Sequence, residues 1–146
     1  MISLWIETKV KGQPLKIFEG FNENLFRALK PPVMSLDVLR FDGCKIGDQI
    51  HLSVGALGIT QPWISIITEV HRDDHECYFV DEGKQLPTPF FTWKHTHRIR
   101  KFDDYHSLII EDIQYTCRPQ FLEKVLSPLL KFQFSLRSSV YLKFFS

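Results

Sequence analysis

Two imidazoles and a carboxylate are the residues of this chain best suited to hold or move a proton. His95 and His97 stand two apart in Phe-Phe-Thr-Trp-Lys-His-Thr-His-Arg-Ile (residues 90–99), and Glu111 follows in Leu-Ile-Ile-Glu-Asp-Ile-Gln-Tyr (residues 108–115). A spacing of two puts both imidazoles on one face of an extended chain. If Phe102-Asp103-Asp104 folds these stretches into a hairpin, residues of equal parity share a face. Glu111 then lies across from His95 or His97, beside Ile109, Ile113 and Tyr115, while Asp112 faces the other way and is expected to be solvated. A carboxylate beside an imidazole in an apolar pocket tunes both groups for general acid-base work. The same pair could simply satisfy each other's hydrogen bonds, and both readings stay open. Two His and one Glu are also donor types for zinc or iron, but an i, i+2 pair with an inferred third ligand is a weak signature, and no metal site is assigned.

The element that must position the imidazoles is a strand. Phe91, Trp93, His95, His97 and Ile99 alternate with Thr92, Lys94, Thr96, Arg98 and Arg100, so one face is covered and the other wet. Around it the pattern predicts a first strand over Ile2 to Val10, then two short helices, one opening at Pro14 and one capped by Asn22 and stopped by Pro31-Pro32. Further strands are expected from Val33 to Phe41, from Ile50 to Ala56, from Ile59 to His71 with its inward face ambiguous, and from Cys77 to Asp81. A loop rich in breakers follows from Gly83 to Pro89, and a last strand runs from Tyr105 to Cys117. Strands in succession joined by turns make an antiparallel meander. After Pro119 the period becomes helical: Leu122, Val125, Leu126, Leu129, Phe132, Gln133, Leu136, Val140 and Phe144 form one apolar stripe. Pro128 is expected to open the main helix, after a short helical turn from about Phe121.

Composition narrows the functional classes. A chain of 146 residues with 44% hydrophobic content fits a single domain over residues 1–146. A net charge of +1 gives no nucleic-acid footprint. Neither a leader nor a membrane-length apolar run is visible, so a cytoplasmic protein without integral membrane association is expected. Cys44, Cys77 and Cys117 are odd in number and widely spaced, which suits reduced, buried thiols. Thirteen Phe suit a cavity lined with rings.

The order strand, two short helices, antiparallel strands and a long C-terminal helix resembles the helix-grip fold, an α+β architecture in which a curved sheet wraps the last helix. Pro14-Leu15-Lys16-Ile17-Phe18 resembles the opening of the first short helix in the SRPBCC superfamily, which includes START lipid carriers, birch-pollen-allergen-like proteins and polyketide cyclase/dehydrases. Gly47-Asp48, Trp63, Phe79-Val80-Asp81, Pro89-Phe90 with Trp93-Lys94-His95-Thr96-His97, Asp112-Ile113-Gln114-Tyr115 and Phe132 to Arg137 are similar to a bacterial ligand-binding subgroup of that superfamily. Thr88 stands where that subgroup often has Gly.

The resemblance implies a cavity between sheet and helix, not a particular reaction. The expected function is binding of a small hydrophobic or amphipathic ligand, without a cofactor, by a monomer or homodimer. Phe91, Trp93 and Phe132 would supply apolar area, with Tyr115 on the same face as Glu111. His95, His97 and Glu111 would orient a polar group, and Arg137 either stays at the surface or meets a ligand carboxylate at the pocket mouth. The alternatives are a cyclase/dehydrase-type enzyme using the His/Glu pair and a protein-interaction module regulated by its ligand. His51, His71, His75 and His106 are expected on turns or outward faces.

Overall fold

The computed structural model describes residues 1–31, 35–56 and 58–146, with the side chain of residue 56 left aside. Strand β1 (Ile2–Lys11) is followed by helices α1 (Pro14–Glu19) and α2 (Glu23–Ala28). Six more strands come next: β2 (Ser35–Phe41), β3 (Gln49–Ala56), β4 (Ile59–Arg72), β5 (Glu76–Gln85), β6 (Phe90–Lys101) and β7 (His106–Cys117). Helices α3 (Leu122–Ser135) and α4 (Arg137–Phe144) end the chain. The start of the β-like stretch expected from Val33 lies outside the described residues. All seven strands join one antiparallel sheet in the order β1-β7-β6-β5-β4-β3-β2. The first strand thus pairs with the last, Ile2 against Tyr115, and the rest form the expected meander.

Local chemistry accounts for the connections. Pro14 sits in the first turn of α1, where its missing N–H is not needed. The Asn22 side chain accepts from the Leu25 N–H at 3.0 Å and caps α2. Three register shifts bend the central strands. Those between β4 and β5 fall at Ile64/Ser65 and at Ile67/Glu69, and that between β6 and β7 falls at Phe90/Thr92. The second shift reverses the alternation of β4 midway, so Ser65 and Ile67 point inward but so does Val70 on the opposite parity. No single face could be read from that strand because it has none. β5 is also longer than expected and runs through Gly83 to Gln85, leaving a loop only over residues 86–89.

The C-terminal helix differs from expectation in two ways. Pro128 lies inside α3 rather than at its start. Its ring removes the donor that would reach the Lys124 carbonyl, and both residues are exposed, so water can take that acceptor. The turns before it are held by tertiary bonds. The Glu123 carboxylate is 2.8 Å from the Met1 amine and accepts from the Cys117 N–H at 3.0 Å, while the Tyr115 hydroxyl donates to the Glu123 carbonyl at 2.6 Å. Leu136, with helical φ and ψ, joins α3 to α4. The packed face also differs from the expected stripe: Glu123, Leu130 and Tyr141 are buried, whereas Val125, Leu129 and Phe132 are at least half exposed.

Two clusters fill the space beneath the helices. One gathers Phe18, Phe21, Leu25, Phe79, Ile99 and Tyr141 under α1, α2 and α4. The other gathers Leu4, Trp93, Ile113, Tyr115 and Leu130 under α3. Their seam is where the imidazoles stand.

Candidate functional site

Strand pairing brings four titratable side chains into one buried array. Asp81 on β5 lies opposite His95 on β6, and Glu111 on β7 lies opposite His97. Hydrogen bonds run along the diagonals instead. His97 Nε2 is 2.5 Å from Asp81 Oδ2, and His95 Nε2 is 2.5 Å from Glu111 Oε2. The directly opposite pairs stand 3.9 Å apart. The two rings stack with centroids 3.6 Å apart, and His97 is sandwiched against Phe79 on its other side at 4.3 Å. All four residues are at most 6% exposed.

The helix closes the array from above. The Tyr141 hydroxyl donates to Glu111 Oε1 at 2.5 Å, and Arg137 approaches the same oxygen at 3.3 Å from one turn earlier on α4. Burial alone would raise the Glu111 carboxyl, but the charge of Arg137 and the His95 contact outweigh it and hold the group well below the ordinary range. Asp81 is lowered for a parallel reason, with the hydrogen bond from His97 overcoming burial. His97 is pushed below its ordinary value by burial and by His95 alongside. Two positive rings at this separation would repel by about 5 kcal/mol at an effective dielectric near 20, which is why the neighbouring ring works against a charge on His97. Burial and the Glu111 charge push the Tyr141 phenol well above its ordinary range, so it stays a donor.

Beside the array opens a cavity of about 450 Å³. His95, His97, Asp81 and Arg137 form its polar end, and Trp63, Phe90, Trp93 and Phe134 form its aromatic wall. The Trp63 and Trp93 rings meet edge to face at 4.8 Å, and Phe134 stands 5.5 Å from His95. Among the described residues, His97 Nδ1 is a buried side-chain atom with no hydrogen-bond partner.

Asp81, His95 and His97 each offer a ligand atom within 4.8 Å of the others, the composition a divalent metal takes. The ring arrangement disfavours it. Imidazole lone pairs lie in the ring plane, and planes stacked 25° from parallel send them side by side rather than to one point. The hydrogen-bonded array is better suited to holding a proton.

Of the residues singled out from the sequence, Trp93, His95, His97, Glu111 and Arg137 are brought together here. Phe91 is not: the extra residue at the β6 bulge turns it outward, 52% exposed beneath the Arg118 guanidinium at 3.5 Å, and Phe90 takes the inward place. Phe132 is 59% exposed on the outer side of α3, and Phe134 occupies the cavity wall. Tyr115 is buried in the core, with its hydroxyl spent on the Glu123 carbonyl. Arg137 meets Glu111 of the protein itself. Asp112, expected to be solvated, is half-buried and pairs with Arg98 at 2.9 Å. Asp81 and Tyr141 were missed. Asp81 shares parity with Cys77 and Phe79 on its strand, and Tyr141 falls four residues after Arg137, one helical turn on.

No family model matches the chain, and no curated protein matches it. Solved structures do. A hypothetical protein from Helicobacter pylori aligns with a TM-score of 0.69 at 12% identity, over 99% of this chain and 88% of that one. The Zhui aromatase/cyclase from Streptomyces sp. R1128 aligns at 0.63 and 12% identity, over 97% of this chain and 92% of its own. A norcoclaurine synthase point mutant from Thalictrum, in complex with a transition-state analogue, aligns at 0.63 and 12% identity, over 95% and 93%. The fold is therefore the helix-grip fold, with a curved seven-stranded sheet around a long C-terminal helix. At these identities the likeness concerns fold alone.

Proposed function

We propose that this protein binds a small amphipathic molecule in the cavity between the sheet and the C-terminal helix. The observation that carries the reading is an aromatic-walled space of about 450 Å³ that ends on a buried array of two imidazoles and two carboxylates. Such a space accepts an apolar body, and convergent polar groups at one end fix its orientation. Trp63, Phe90, Trp93 and Phe134 would hold the apolar part. His95, His97 and Asp81 would meet the polar part, with Glu111 positioning His95. Even paired, buried charges of this number repay little of their desolvation cost, so their placement beside open space favours a role in recognition.

One feature favours a second reading, an enzyme of the cyclase/dehydrase kind. Each imidazole has its own carboxylate, and His97, which lines the cavity, has a buried Nδ1 without a partner, the arrangement that leaves a neutral ring able to accept a proton.

Native mass spectrometry of protein purified from its own source, followed by solvent extraction, tests the binding reading. A stoichiometric small-molecule adduct that weakens about tenfold or more in Trp93→Ala is the expected result. Retention of the adduct at full occupancy in that variant would remove Trp93 from the wall. Conversion of the extracted molecule by the wild type, with a pH profile lost in His97→Ala, would favour the enzyme.

A further inference from the structure

The outer side of α3 is apolar. Phe121 just before the helix, then Val125, Leu129, Phe132 and Leu136, recur every three or four residues and are 67%, 60%, 50%, 59% and 36% exposed. They share a face rotated by roughly a third of a turn from the packed one that carries Leu126, Leu130 and Phe134. A stripe this long is more than the scattered apolar residues of an ordinary surface.

Charge is distributed unevenly around it. From Arg118 to the end, the sequence has five Lys and Arg and one acid, Glu123. That acid is 5% exposed, its carboxylate engaged by the Met1 amine and the Cys117 N–H. Lys124, Lys131 and Lys143 are exposed, and Lys124 and Lys131, seven residues apart, border the same side of the stripe. The two last helices therefore present an apolar band with a cationic flank and no exposed anion. The band also reaches the cavity. Leu129 is both half exposed and part of the cavity lining, and Ile59, 68% exposed at the start of β4, lines the cavity too.

We propose that this face of α3 docks on an anionic lipid surface, with the band in the interface, Lys124 and Lys131 against the headgroups, and the cavity mouth opening toward the bilayer. An apolar face with lysines along its flank is the pattern of a helix lying in a membrane interface. A second copy of the chain complements the face less well, because each copy brings lysines and no exposed acid to it. Docking does not depend on what fills the cavity.

Co-sedimentation of the purified protein with vesicles of equal parts phosphatidylcholine and phosphatidylglycerol, and with phosphatidylcholine alone, is the test. Binding to the mixed vesicles is expected, weakened by added salt and by about fivefold for each of Lys124→Gln and Lys131→Gln. Phe132→Ser, at an exposed position, is expected to weaken it about tenfold or more with an unchanged circular dichroism spectrum. Equal sedimentation with the two vesicle types, or binding untouched by all three substitutions, would overturn the proposal. So would a concentration-dependent dimer, dissolved by Phe132→Ser, in place of vesicle binding.

Discussion

At the scale of single residues, Glu111 carries the heaviest load. It faces His95, Arg137 and Tyr141 at once, and it is 2% exposed. Glu111→Gln keeps the shape but leaves the Arg137 guanidinium without its counter-charge. Loss of about 3–5 kcal/mol of unfolding free energy is expected, read from urea midpoints at constant m-value; a shift below 1 kcal/mol would mean that water already screens the pair. Parity was enough to place Glu111 beside the imidazoles, because hairpin partners keep their side-chain direction across a sheet. It failed at Phe91, one residue into the imidazoles' own strand β6, because an inserted residue reverses parity and no local signal distinguishes Phe-Phe in a bulge from Phe-Phe in a regular strand. Asp81 was overlooked for a different reason. A carboxylate at an inward strand position reads as an error unless its partner is known, and that partner, His97, is sixteen residues away on the next strand.

At the scale of elements, the instructive case is α3. The order of strands and helices was legible throughout, since alternation and turn residues marked most of them, yet the main helix was expected to start at Pro128 after a short turn from about Phe121, and the stripe through both to bury Val125, Leu129 and Phe132. Two apolar faces compete along this segment, and hydropathy does not say which one meets the sheet. Tertiary anchors decide it: Glu123 tied to Cys117 and the Met1 amine at one end, and Thr8 Oγ1 2.6 Å from Ser138 Oγ near the other. Those anchors also impose helix on the turns before a proline. Pro128→Ala restores the donor to the Lys124 carbonyl at an exposed site and is expected to raise stability by about 1–2 kcal/mol, the intrinsic gain less the added freedom of the unfolded chain. Destabilisation by this substitution would mean that the proline ring is packing against something that α3 needs.

At the scale of the molecule, the array joins the two apolar clusters, so its protonation acts on the whole fold. His97 has a lowered affinity for protons when folded, so the unfolded chain binds more of them just below its ordinary value. Stability is therefore expected to fall as the pH drops from about 7 through the His97 window, and to fall again below about 4.5 as Asp81 and Glu111 are forced to protonate. Melting temperatures across that range check it. His97→Gln keeps a donor toward Asp81 and should flatten the limb near neutrality while leaving the acid limb; parallel curves for the two proteins would show that the near-neutral loss arises elsewhere. The pairing of β1 with β7 has a consequence in time rather than in energy. Ile2 finds its partner at Tyr115, so during synthesis at about 5–20 residues per second the first strand waits on the order of 5–20 s with an unpaired edge before the residues that complete it exist. Until then nothing downstream can close the sheet, and a nascent chain of this protein is exposed for most of its own making.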